Sequence, residues 1–73
     1  MDIDKLVRMA NQIAANYEYL PDPDAAGAKV ADHIRRFWDP GMRSEIIEYL
    51  HADGSDLSDI ARRAITKIEN AGK

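Results

Sequence analysis

Two histidines, His33 and His51, are the side chains of this 73-residue chain best suited to hold a metal or carry a proton at neutral pH. Neither belongs to an HExxH motif and the chain has no Cys, whereas a metal site takes three or four ligands in fixed geometry. His33 shares a helix face with Lys29 and Phe37 and reads as a partly buried, satisfied residue. His51 falls near a helix C-terminus, where a cation favours the dipole. Ser44, Ser55 and Ser58 show no His-plus-acid partner, and the last two read as helix caps. Asp22 and Asp24 bracket Pro23 at a helix start, where carboxylates are favoured without any acid–base role. The four glycines are scattered and form no phosphate-cradling loop. A chain this short should also lack room beside its core for a ligand cavity of roughly 300 Å3 or more. The expectation is a protein with no catalytic residue, no cofactor-binding residue and no metal ligand of its own.

Chemistry of recognition is better represented. The stretch "HIRRFWDPGMR", residues 33 to 43, holds the only Trp and the only Phe side by side, with Arg35, Arg36 and Arg43 around them and Asp39 the sole acid. Trp and Arg are enriched at binding hot spots. Phe37 lies in phase with Val30 and Ile34 and is expected in the core. Trp38, about 100° further round the helix, stands at a corner where it can either cover the end of the core or be presented to a partner. In the first segment, Asn11 and Gln12 sit mid-helix although Asn is a weak helix former. Arg8, Gln12 and Ala15 fall away from the apolar stripe, as a plain polar surface or as a flat hydrogen-bonding face for another protein.

The elements that carry these residues all read as helices. Ile3, Leu6, Ala10, Ile13, Tyr17 and Leu20 advance by three or four residues along one stripe, with Asp2 or Asp4 as cap and Pro21 and Pro23 as the stop. Asp22-Pro23 opens a second helix with apolar Ala26, Val30, Ile34 and Phe37, an Asp32–Arg36 pair on its surface, and Gly27, which suggests a close helix approach. Asp39-Pro40 repeats the start signal for a third helix to about Ala52, with Met42, Ile46, Tyr49 and Leu50 inward and Gly54 as the break. A fourth begins at Ser55 or Ser58 with the stripe Leu57, Ala61, Ala64, Ile65 and Ile68, and its terminal "NAGK" should fray. No run alternates as a strand would. The expected fold class is all-α: one small domain, residues 1–73, of four short helices.

Composition sets limits on function. A domain of this size buries only about 60% of its unfolded surface, so a partner would add stability. The net charge of −3 opposes general nucleic-acid binding. No apolar run approaches the roughly 18 residues of a membrane span, and "MDIDKLVR" is not a signal peptide, which together suggest a cytoplasmic chain.

Two blocks, "KLVRMANQIAANY" (Lys5 to Tyr17) and "HIRRFWDPGMR" (His33 to Arg43), resemble the delta subunit family of NAD-dependent formate dehydrogenase. That family carries K-L-V-x-M-A-N-Q-I-A and then H-I-x-x-F-W-D-P-x-M-R. Lys5, Leu6, Val7, Met9, Ala10, Asn11, Gln12, Ile13 and Ala14 match the first. His33, Ile34, Phe37, Trp38, Asp39, Pro40, Met42 and Arg43 match the second. Gly41 departs from a position often basic in the family, and Asn16 from one often aromatic. The resemblance implies a non-catalytic accessory subunit that binds the alpha subunit and supports assembly or stability of the active complex. The molybdenum or tungsten pterin, iron–sulfur clusters, FMN and NAD would all belong to partner subunits. The implied partner-binding residues are Arg8, Asn11, Gln12, His33, Arg36, Trp38, Asp39, Pro40, Met42 and Arg43. Weak self-association of the isolated chain is compatible with this reading. Two alternatives stay open on the residues alone: an interaction module for an unrelated partner, and a small helix-turn-helix DNA-binding regulator, favoured slightly by Gly54 and Arg62-Arg63 but opposed by the net charge.

Overall fold

The computed structural model describes residues 2–71, and among them every regular element is an α-helix. Helix α1 spans Ile3–Ala15, α2 Pro23–Phe37, α3 Pro40–Ala52 and α4 Asp59–Ala71. The all-α, four-helix expectation is met. No helix among the described residues is long and apolar enough to cross a membrane.

Local chemistry sets most boundaries. The carboxylates of Asp2 and Asp22 each accept the N–H two residues on, at 3.1 and 3.0 Å, and Asp39 accepts the Met42 N–H at 2.8 Å. Pro23 and Pro40 occupy first helical positions, where a missing N–H leaves nothing unsatisfied. Ser58 caps α4: its hydroxyl accepts the Ala61 N–H at 3.2 Å and its carbonyl accepts the Arg62 N–H at 2.9 Å. Gly54, at φ +70°, makes the left-handed step after α3.

Helix α1 ends earlier than its stripe suggests. From Asn16 the chain tightens, with Tyr17 and Leu20 donating to carbonyls three residues back at 3.0 and 3.2 Å. Asn16 and Tyr17 are weak helix formers, so the helix gives way before the prolines are reached. At the other end Asn70 and Ala71 are helical, so the expected fraying does not extend to them, and Gly72 and Lys73 lie outside the described residues.

The core is one cluster drawn from all four helices, with Leu6, Val30, Ile34, Ile46 and Ile65 fully buried. Helices α2 and α4 form its most extensive contact. Gly27 permits this: a Cβ placed there would stand 2.9 Å from Arg63 Cβ. The two helices run antiparallel, with Lys67 Nζ 3.0 Å from Asp24 Oδ1 and Arg63 Nη1 4.0 Å from the same oxygen. Arg63 Nε also donates to Asp59 at 2.9 Å, and that bond and charge raise the guanidinium's pKa above its ordinary value.

One core assignment fails and it matters for function. Phe37, expected inside, is 71% exposed, while the corner residue Trp38 is only 5% exposed. Both positions lie within reach of the buried arc of α2, whose inward residues include Gly27, Ala31 and Ile34. The register that pairs Asp24 with Lys67 and Gly27 with Arg63 and Ala64, carried on to Phe37, falls at Gly54, ahead of the first residue of α4. Phe37 therefore has no helix to cover it. Trp38 has left the helix: at φ −97° and ψ 141° its extended backbone turns the indole back under the bundle, while its N–H still donates to Ile34 at 2.9 Å.

Candidate functional site

The α2–α3 turn leaves an open groove of about 470 Å3, lined by Met9, Gln12 and Ile13 of α1, His33 and Phe37 of α2, the capping Trp38, and Met42 of α3. The expectation that no space above roughly 300 Å3 would form is corrected by this groove. It lies on the surface between helix ends, so it needs no interior volume. The proline accounts for the shape. Residues before Pro are held extended, and Asp39 adopts φ −76° and ψ 165°, which swings α3 away from the line of α2. Trp38 is thereby buried, and Phe37 stays on the rim. His33 packs against it with ring centroids 4.7 Å apart and planes at 43°.

Of the ten residues singled out by sequence, Gln12, His33, Trp38 and Met42 converge on this groove. Arg8 is exposed one helical turn before Gln12 on the same face. Arg36 lies one turn after His33 and is held by Asp32 at 3.2 Å, with both side chains largely exposed. Asp39 and Pro40 shape the turn from exposed positions. Trp38, expected at a corner open to either role, is core, and offers the groove only an edge.

Two residues go elsewhere. Asn11, expected to share a flat face with Gln12, has both ends of its amide engaged within the chain. Its Nδ2 donates to the Asp56 carbonyl at 2.8 Å, and its Oδ1 accepts the Ser58 N–H at 2.9 Å. It thus ties α1 to the start of α4, satisfying one of the N–H groups that a helix start leaves unpaired. Arg43 lies on the other flank of α3, in a smaller cleft of about 240 Å3 with Pro40, Ser44, Ile47 and Ile68. Its Nε is buried without a partner.

Met9, Ile13 and Phe37 complete the groove and were not among the expected site residues. Helical spacing from Gln12 and His33 could have found two of them, since Met9 and Phe37 stand three and four residues away. His51 lies in the last turn of α3, the position expected of a dipole partner, and also meets a carboxylate, with Nε2 2.7 Å from Glu69 Oε2 on α4. No group of three or more His, Cys, Asp or Glu at metal-binding distance occurs among the described residues.

The arrangement suits adhesion. Thioethers, an aliphatic side chain and aromatic faces form the floor and rim, and an amide and an imidazole supply directional bonds. No curated protein and no solved structure matches the chain. Residues 5–65, which include both sequence blocks and the whole groove, match the family described as NADH-dependant formate dehydrogenase delta subunit FdsD, and the chain belongs to that family.

Proposed function

We propose that this chain is a non-catalytic subunit that docks through the α1–α2–α3 groove onto the alpha subunit of a cytoplasmic formate dehydrogenase. The pterin metal, iron–sulfur clusters, FMN and NAD reside in partner subunits. With no Cys, this chain offers no thiolate to a cluster. Its contribution is differential binding: a partner that is bound only when folded and loaded gains stability that grows with the logarithm of this chain's concentration relative to its Kd.

One observation carries the reading. Two sequence blocks separated by a whole connection supply the lining of a single open groove, and the large apolar side chain on its rim is 71% exposed. An exposed Phe beside two half-buried Met residues gains little in an isolated monomer and much in an interface. The test is Phe37→Asp in cells that make the whole complex. Co-purification with the alpha subunit and formate-dependent NAD reduction should both fall, with helical content unchanged. Full recovery of alpha subunit at wild-type activity would refute docking at this groove.

A further inference from the structure

The groove has a charge as well as an apolar floor, and resting on the docking reading above, that charge identifies what fills it. Lys5 lies one turn before Met9, Arg8 one turn before Gln12, and Lys29 one turn before His33. All three are exposed, and none has an ion-pair partner among the described residues. Among the nearby acids, Asp4 stands one turn before Arg8 on α1 and is exposed, so it offsets part of that charge. Asp32 holds Arg36, Asp39 caps α3, and Glu45 faces a separate cleft with Ile3 and Glu48. A chain of net charge −3 thus sets three cations without ion-pair partners among the described residues around an apolar groove, with Asp4 the carboxylate beside Arg8.

We infer that the groove receives a short acidic amphipathic helix of the alpha subunit, its apolar residues at i, i+3 or i+4 seated among Met9, Ile13, Phe37 and Met42 and its carboxylates facing Lys5, Arg8 and Lys29. An apolar trough between two helices is the usual seat for such a segment, which brings its own backbone hydrogen bonds with it. About 470 Å3 accommodates a few side chains and no more. A second copy of this chain is the poorer occupant. A twofold contact sets each patch against itself, so Lys5, Arg8 and Lys29 would meet the same three cations.

The experiment places a photo-crosslinking phenylalanine analogue at position 37 in the assembled complex and identifies the captured peptide by mass spectrometry. In parallel, Lys5→Glu/Arg8→Glu/Lys29→Glu is measured for binding to the alpha subunit at low and high salt. The expected result is a net-acidic alpha-subunit peptide with helical apolar spacing. The triple variant should bind at least about tenfold more weakly at low salt, because it sets like charges against each other at the interface. Wild-type binding should weaken with added salt, whereas the variant's should weaken less. Capture of a basic or non-helical alpha-subunit segment, or an unchanged triple variant, overturns the acidic-helix inference and leaves docking at the groove intact. Capture of a second copy, or no capture from an intact complex, overturns both. A wild-type chain that fails to retain the alpha subunit refutes the docking reading directly.

Discussion

The α2–α4 seam and the α1–α2–α3 groove are built from the same helix and have opposite properties. Along the first part of α2, Ala26, Gly27, Val30 and Ala31 are small or β-branched, so α4 approaches until Gly27 has no room for a Cβ. Charges close the seam from outside, with Asp24 facing Lys67 and Arg63 held between Asp59 and Asp24. Past Ile34 the side chains become large and α4 is no longer alongside, so Phe37 stands out and a groove opens. The lesson is that residue size along one helix divides it into a part that binds its own chain and a part that stays exposed.

The sharpest way to break that division is at its boundary. A domain of this length has a total stability of roughly 4–11 kcal/mol, at about 0.05–0.15 kcal/mol per residue. Trp38→Ala should cost about 3–5 kcal/mol, the range for truncating a buried aromatic residue. That is enough to leave much of the chain unfolded, as loss of far-UV circular dichroism on mild heating would reveal. A Trp38→Ala protein as stable as the parent would mean that the indole belongs to the groove and not to the core.

The seam is tested by Gly27→Leu. Helix propensity favours Leu by up to about 1 kcal/mol, but a Cβ at 2.9 Å from the Cβ of Arg63 cannot be relieved by rotating a flexible side chain. Overpacking of this kind costs about 1–3 kcal/mol, and the rest of the Leu side chain adds to the crowding. The urea midpoint should fall. A rise would show that α2 and α4 can separate freely.

A smaller difference is expected between neighbours on α1. Asn11→Ala leaves the part-buried Ser58 N–H and the Asp56 carbonyl without a partner, at a cost of about 1–2 kcal/mol. Gln12→Ala, on the exposed side, should stay within about 0.5 kcal/mol. Equal melting temperatures for the two variants would remove Asn11 from its structural role.

The sequence makes the fold readable because its signals are local and redundant. Asp22-Pro23 and Asp39-Pro40 fix two helix starts, Ser58 a third, and the stripe Leu57, Ala61, Ala64, Ile65 and Ile68 is buried throughout. The candidate site is less legible because it depends on where a neighbouring element stops. Val30–Ile34–Phe37 and Gly27–Ala31–Ile34–Trp38 are both good helical stripes, and periodicity cannot choose between them. The choice is made by α4, which begins too late to reach Phe37. Asn11 is hard to read for a similar reason: a polar residue mid-helix looks like surface until a distant loop brings it a donor and an acceptor.

The smallest expected effect on stability is also the one that separates core from docking surface. Phe37→Ser removes an aromatic ring that is 71% exposed, and what it loses in the monomer is mainly the contact with His33. Its unfolding midpoint should stay within about 0.5 kcal/mol of the parent, as for most surface substitutions. Binding should respond quite differently, since truncating an anchoring aromatic residue at an interface costs about 2 kcal/mol or more, a loss of some thirtyfold in affinity. The chain has a single Trp, and Trp38 lines the groove, so 5-hydroxytryptophan incorporated into this chain alone and excited to the red of ordinary Trp gives an emission from this site. A titration with alpha subunit should shift that emission in the parent and require far higher concentrations in Phe37→Ser. If stability falls and affinity does not, the ring serves this chain's own packing, and the contrast between seam and groove collapses into a single continuous core.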